Sequence, residues 1–278
     1  MVIVIKEVRK QMLELEFILA YVALGSIVGV LAGLLGIGGG LLMVPALTSL
    51  FIWQGYPLEQ VVHLALGTSM ASIILTSVSS MRAHNRRGGV IWPVVKNVSP
   101  GIVIGAFLAT FLAASLSGVF LAVFFACFLV FVSVQMFLNK KPKPSRTIPG
   151  FWGLFTAGTG IGGFSALVSI GGGTLTVPYL SWHNVDVKQA IGTSAAIGLP
   201  ISVAGTIGYL INGWPVEISG WLIFGYVNLP AVVLISALSF TTAPLGAKLA
   251  HSLPVPVLKK GFAVLLLALA AKMLLSVS

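Results

Sequence analysis

Eight apolar stretches recur along this chain, at roughly 17–36, 60–81, 98–115, 118–138, 150–170, 190–211, 218–240 and 257–276. Each approaches the ~20 residues that cross a hydrocarbon core as a helix. Two shorter stretches, 41–53 and 174–182, adjoin the first and the fifth. Backbone groups in lipid must be paired internally, so helices are the default, and the alternation of a membrane β-barrel is absent. Composition agrees: 57% of residues are hydrophobic, 8% are charged, and the mean hydropathy is +1.05, whereas a soluble domain carries about 25% charged residues. So few charges cannot cover the surface of a soluble monomer of 278 residues. A soluble enzyme, a disordered chain and a nucleic-acid-binding module are excluded. The net charge of +10, from 16 Lys+Arg against 6 Asp+Glu, belongs to the short loops of a polytopic membrane protein. The single cysteine, Cys127, excludes a disulfide framework and a Cys-based metal site.

The chain divides itself. Segment 1–16 mixes Lys6, Arg9 and Lys10 with Glu7, Glu14 and Glu16, and reads as an amphipathic interfacial segment that is retained. A first membrane unit is expected over 17–138, a basic cytoplasmic linker over 139–149 (NKKPKPSRTIP), and a second membrane unit over 150–278. Internal repetition supports that division. GIGGGLLMVPALTSL at 36–50 is matched by SIGGGTLTVPYLSWH at 169–183, and LGTSMAS at 66–72 by IGTSAAI at 191–197. The expected fold is therefore an all-α polytopic membrane protein, with about eight long helices in two duplicated four-helix halves and helices broken by glycine.

Charge does not orient the halves. If every long run crosses, the halves are parallel; if 17–53 and 150–182 are re-entrant hairpins, they are inverted. Both arrangements place equal numbers of cations inside, and both put 82–97 and 139–149 in the cytoplasm. The inverted arrangement is preferred by analogy with transporters that pair broken helices across inverted repeats.

Gly38, Gly39 and Gly40, and Gly171, Gly172 and Gly173, interrupt apolar segments, followed by Pro45 and Pro178. Three consecutive glycines weaken a helix, and proline suits the first turn of a new one. The pattern predicts a helix, an unwound stretch and a short helix running to about Trp53 or Trp182. At ~1.5 Å per residue, 41–53 reaches about 20 Å, short of a ~30 Å core. Exposed N–H groups and a positive helix end there suit an anion, against the alternative of plain close packing. Gly25, Gly29 and Gly33, and Gly101 and Gly105, recur every four residues and read as helix-packing faces.

Gly67-Thr68-Ser69 and Gly192-Thr193-Ser194 open more polar stretches. Thr68, Ser72, Thr76 and Ser80 share one helix face, where hydroxyls either line a polar path or bond back to the preceding turn. Asn228 either donates to an anion or caps a kink at Pro230. Lys248 either reaches inward or snorkels, the latter favoured. His63 and His183 read as interfacial. No acidic residue falls in mid-membrane, which an anion route does not require. No catalytic or cofactor motif is present, so no enzyme, cofactor or metal site is expected.

The doubled IGGGxLxVPxL followed by GTSxA resembles the sulfite exporter TauE/SafE family of membrane permeases. The basic segment RAHNRRGGVIW at 82–92 also resembles that family's connection after its second helix. The resemblance covers roughly 20–276. It implies a secondary transporter of the bacterial inner membrane for a small sulfur-containing anion such as sulfite or an organosulfonate, working by alternating access. The implied substrate-binding positions are Gly38, Gly39, Gly40, Pro45, Thr68, Ser69, Gly171, Gly172, Gly173, Pro178, Thr193, Ser194 and, from its polarity, Asn228. Expected partners are the anion and the lipid bilayer, with a homo-oligomer left open. The alternatives are a passive anion channel and a non-transporting assembly protein.

Overall fold

The computed structural model describes residues 2–35, 39–138, 145–216, 218, 222–252 and 255–277; the side chains of 2–14, 34–35, 247–252, 255–259 and 277 lie outside that description. Among the described residues, ten helices and one small hairpin follow in order: α1 (Val2–Leu35), α2 (Gly40–Trp53), α3 (Leu58–Asn85), α4 (Trp92–Ser115), α5 (Gly118–Leu138), α6 (Phe151–Leu167), α7 (Gly173–Trp182), α8 (Val187–Gly213), β1 (Ile223–Phe224), β2 (Val227–Asn228), α9 (Leu229–Ser252) and α10 (Val255–Val277). Among the described residues, six stretches are long and apolar enough to cross a membrane: 15–33, 58–85, 92–115, 118–138, 187–213 and 229–246. The expected count of eight long helices thus becomes ten, two of them short, and α6 has only 17 residues.

The two short helices end at Trp53 and Trp182, as the apolar run lengths predict. Their starts correct the expectation. Each opens at the third glycine, so Pro45 and Pro178 sit inside α2 and α7 rather than in a first turn. Gly39 serves as the N-cap of α2 with φ of 77°, a left-handed backbone that glycine adopts without a Cβ penalty.

α2 runs back along α1. Gly39 lies against Val28, while at the far end Phe17 packs edge-on against Trp53 (4.9 Å) and Gln54 Nε2 donates to the Tyr21 hydroxyl (2.8 Å). α6 and α7 close likewise: Trp182 Nε1 donates to Ser145 Oγ (2.9 Å), and the Arg146 guanidinium stacks 4.2 Å over the Trp182 ring. Each pair is a helical hairpin whose two ends lie at one level. The tips meet, since a Cβ on Gly40 would strike the Ser169 carbonyl.

α3 and α8 are the most enclosed of the long helices. They lie antiparallel: Gly67 packs beside Tyr209, Met70 beside Gly205, Ser77 beside Gly198 and His84 beside Gly192. Around them, α1 packs on α9 and α4 on α6 through the glycine faces read from the sequence. Gly25 meets Ile235, Gly29 meets Ser239, and Gly101 and Gly105 meet Phe155 and Thr159. Bare backbone lets these helices approach closely. Outward-facing Leu108, Phe131 and Leu275 are exposed, as a lipid-facing surface requires.

One apolar run is not one helix. Within 218–240, Ile223 pairs with Asn228 and Phe224 with Val227, turning at Gly225 (φ 53°), and α9 begins only at Leu229. Gly225 presses on the Leu210 backbone of α8, where a side chain has no room. Protein covers the second strand and the residue before it, with Tyr226, Val227 and Asn228 buried, and irregular backbone is tolerated in such surroundings.

Candidate anion site

A cavity of about 210 Å³ opens between α1, α3, α8, α9 and the turn that precedes α7. A water molecule takes about 30 Å³ in the liquid, so a small oxyanion fits with a partial hydration shell. One wall is the second glycine triplet, Gly171, Gly172 and Gly173, with Ser194, Ala195 and Gly198 of α8. The facing wall is the C-terminal half of α3: Thr76, Ser77, Ser79, Ser80, Ala83 and His84, with Arg87 just beyond the helix. Ala32 and Gly33 of α1 and Ala243 and Pro244 of α9 complete it. Among the described residues, no carboxylate lines it. Gly172 has ordinary helical backbone (φ −58°), so its lack of a side chain is a matter of space: a Cβ there would sit 2.5 Å from the Ser194 carbonyl.

Four of the sequence-derived positions therefore converge: Gly171, Gly172, Gly173 and Ser194. The first triplet does not join them. Gly38 lies outside the described residues; Gly39 and Gly40 are buried and spent on capping α2 and meeting the second hairpin. Pro45 and Pro178 are interior residues of their short helices, away from the cavity wall. The polar face of α3 is divided. Thr76 and Ser80 line the cavity, whereas Thr68, Ser69 and Ser72 are fully buried outside it. The side chain of Lys248 lies outside the described residues.

The two GTS motifs do one job at two places. Thr68 Oγ1 accepts from the Asn228 backbone N–H (3.0 Å), and Gly67 makes room for the Tyr226 carbonyl two residues earlier. Thr193 Oγ1 accepts from the Ile91 backbone N–H (3.0 Å), and Gly192 makes room for the Gly89 carbonyl two residues earlier. Each motif holds the start of a helix from the other half of the chain, α9 or α4. Gly192 lies at the level of His84, 17 residues along α3 from Gly67, so the motifs stand about 25 Å apart in depth. They do not form one site.

Asn228 takes its capping role: Oδ1 accepts from the Ala231 N–H (3.0 Å), while Nδ2 makes a long 3.5 Å contact to the Tyr56 hydroxyl. Burial pushes the Tyr56 phenol above its ordinary range, an effect that the Asn228 contact only partly offsets, so it stays neutral. His63 is buried, with Nε2 3.1 Å from the Ala113 carbonyl and its ring stacked on Tyr226. The buried amide–hydroxyl bonds make a direct expectation. Thr68→Val keeps the volume but orphans the buried Asn228 N–H, and should lower stability by about 1–3 kcal/mol. Thr193→Val should cost less, because Ile91 is only half-buried. Thermal unfolding of the two variants in detergent tests that order.

Arg87 and His84 are the functional candidates that sequence reading passed over. Their signal was present in the cationic segment after the second apolar run, but nothing in the chain order says that this segment bends over the second glycine triplet.

The sequence profile of the family described as Sulfite exporter TauE/SafE matches residues 21–273. A "Probable membrane transporter protein" of Haemophilus influenzae is 37% identical over 261 residues, covering 93% of this chain and 98% of the relative. A further protein named as a probable membrane transporter, from Methanocaldococcus jannaschii, is 27% identical over 248 residues, covering 85% and 89%. One from Bacillus subtilis is 25% identical over 240 residues, covering 84% and 90%. No solved structure matches the fold. With a family profile spanning nearly the whole chain and a relative matched along almost its full length, this multi-pass membrane protein belongs to the sulfite exporter TauE/SafE family of membrane transporters.

Proposed function

We propose that the protein is a secondary transporter that moves a small sulfur-containing anion, such as sulfite or an organosulfonate, across the bacterial cytoplasmic membrane by alternating access. The carrying observation is the cavity itself, which joins Arg87, the hydroxyl-bearing residues of α3 and the glycine triplet at the start of α7, with no carboxylate among its described lining residues. A desolvated anion needs such compensation, because an unpaired charge in a low-dielectric interior is expensive. The N-terminus of α7 adds unpaired N–H groups and the positive end of a helix dipole. Flexible glycine backbone lets those groups turn towards the ligand.

The units 17–138 and 150–278 serve, in this reading, as inverted repeats. Its support is that α3 and α8, which carry the same motif, run antiparallel, and that each unit opens with a helical hairpin followed by three longer helices. The linker joining them is cytoplasmic, on the same side as Arg87. Rocking of one unit against the other then exposes the cavity alternately.

Purified protein in proteoliposomes, challenged with radiolabelled sulfite, thiosulfate, sulfate and organosulfonates, tests the proposal. Saturable uptake with counterflow by a sulfur anion is expected. Non-saturating flux without counterflow would mean a channel, and the absence of flux for every anion overturns the transporter reading.

A further inference from the structure

The glycines that open the GTS motifs have matching surroundings. Beyond the carbonyl each accommodates, Gly192 meets His84 Cβ (3.2 Å) and Gly67 meets Tyr209 Cβ (3.1 Å). His84 and Tyr209 each lie 17 residues past the GTS glycine of their own helix, so they hold equivalent positions on α3 and α8. The same register pairs Ser77 with Ser202, Ala195 with Met70, and Arg87 with Asn212.

Equivalent positions have opposite environments. His84, Ser77, Ala195 and Arg87 border the open cavity. Tyr209, Ser202 and Met70 are fully buried, with Met70 wedged against Gly205. The Tyr209 hydroxyl donates to the Ala166 carbonyl at 3.0 Å. Ala166 lies 133 residues after Gly33, the offset relating the two glycine triplets, and Gly33 is on the wall of the open cavity. On one side His84 and Gly33 flank empty space; on the other, Tyr209 reaches Ala166.

We propose that Tyr209 and Met70 close a second vestibule, the counterpart of the first, which opens to the opposite face and is latched by the Tyr209–Ala166 hydrogen bond. When the latch breaks, Ser202 and Gly205 become accessible, and His84 moves towards Gly33 to shut the first vestibule. Packed interfaces switch between discrete arrangements rather than deforming continuously, so the two openings are exclusive. The inference rests on the transporter reading for its purpose, and its test requires no transported ion.

The test uses the full chain in proteoliposomes with Cys127→Ala, one added cysteine, and a membrane-impermeant maleimide supplied from either side. Ser77→Cys should react from the face bearing Arg87, and Ser202→Cys should resist from both. Adding Tyr209→Phe keeps the ring but removes the latch, and should raise labelling of Ser202→Cys from the opposite face about fivefold, the scale of one hydrogen bond, while slowing Ser77→Cys. Met70→Ala removes the wedge and should shift both rates the same way; it carries the test if Tyr209→Phe fails to fold. Ser202→Cys remaining unreactive in a folded variant, with Ser77→Cys unchanged, overturns the second vestibule. Reciprocal labelling in a protein that carries none of the anions keeps the vestibule and rejects the transporter reading. Saturable flux without reciprocal labelling does the reverse.

Discussion

Gly40→Ala is expected to be among the most damaging single-methyl changes in this protein. The position joins the two helical hairpins at their tips: its added Cβ would overlap the Ser169 carbonyl and lie 3.1 Å from Ile170 Cα and from the Ile73 side chain. Two of those three neighbours are backbone and cannot rotate away. Ser169 is itself pinned, because its side chain donates to the Leu66 carbonyl at 2.7 Å and its backbone sits at φ 46°. The methyl must therefore push α2 and the 168–172 turn apart. Overpacking of this kind costs about 1–3 kcal/mol and occasionally more, and the rigid partner puts Gly40→Ala at about 3 kcal/mol or above. The measurement is the midpoint of thermal unfolding in detergent, beside Gly89→Ala, whose nearest neighbour is 3.3 Å away. A Gly40→Ala midpoint no lower than that of Gly89→Ala would mean that the hairpin tips are not tightly joined.

That junction shows what could be read from the chain and what could not. Run length set the extent of α2 and α7, since an apolar piece of 10 or 14 residues is too short to span and must have one end inside the protein. The doubled motifs announced two matching structures. They did not announce which partners the motifs would meet, because Thr68 and Thr193 bond to backbone from the other half of the chain, 160 and 102 residues distant. A hydroxyl on an apolar helix has the same sequence signature whether it faces a substrate or caps a neighbour. The same blindness hid the 223–228 hairpin: hydropathy reports burial, and a covered hairpin is as apolar as a span. The matched motifs left open which half dominates, since Leu42 and Met43 stand where the second half has Leu175 and Thr176; among the described residues, it is the second triplet that reaches open space. The inequality lies at the variable position of GTSxA, Ala195 against Met70, and beyond the motifs, His84 against Tyr209. It needs the antiparallel pairing of α3 and α8 to be seen at all.

Arg87→Gln is expected to raise the KM for the transported anion at least tenfold. Arg87 lines the hydroxyl-bearing wall of the cavity, and its neighbours on that wall, His84, Ala83 and Ser80, bring no other permanent positive charge. Hydrogen bonds to a charged group contribute about 1.5–3 kcal/mol. Arg87 is exposed at the mouth, where water screens the pair, so the lower part of that range applies. Arg87→Lys should fall between wild type and Arg87→Gln, because it keeps the charge but gives up the planar fork that matches an oxyanion. Raised ionic strength should narrow the gap between wild type and Arg87→Gln, since exposed charges are screened within about 10 Å at 0.1 M salt. Arg82→Gln and Arg86→Gln remove the same charge from exposed positions outside the cavity wall. If all three variants weaken uptake equally, the cations act only through the general surface potential. Selective loss with Arg87→Gln, in protein of unchanged stability, places the anion beside the second glycine triplet.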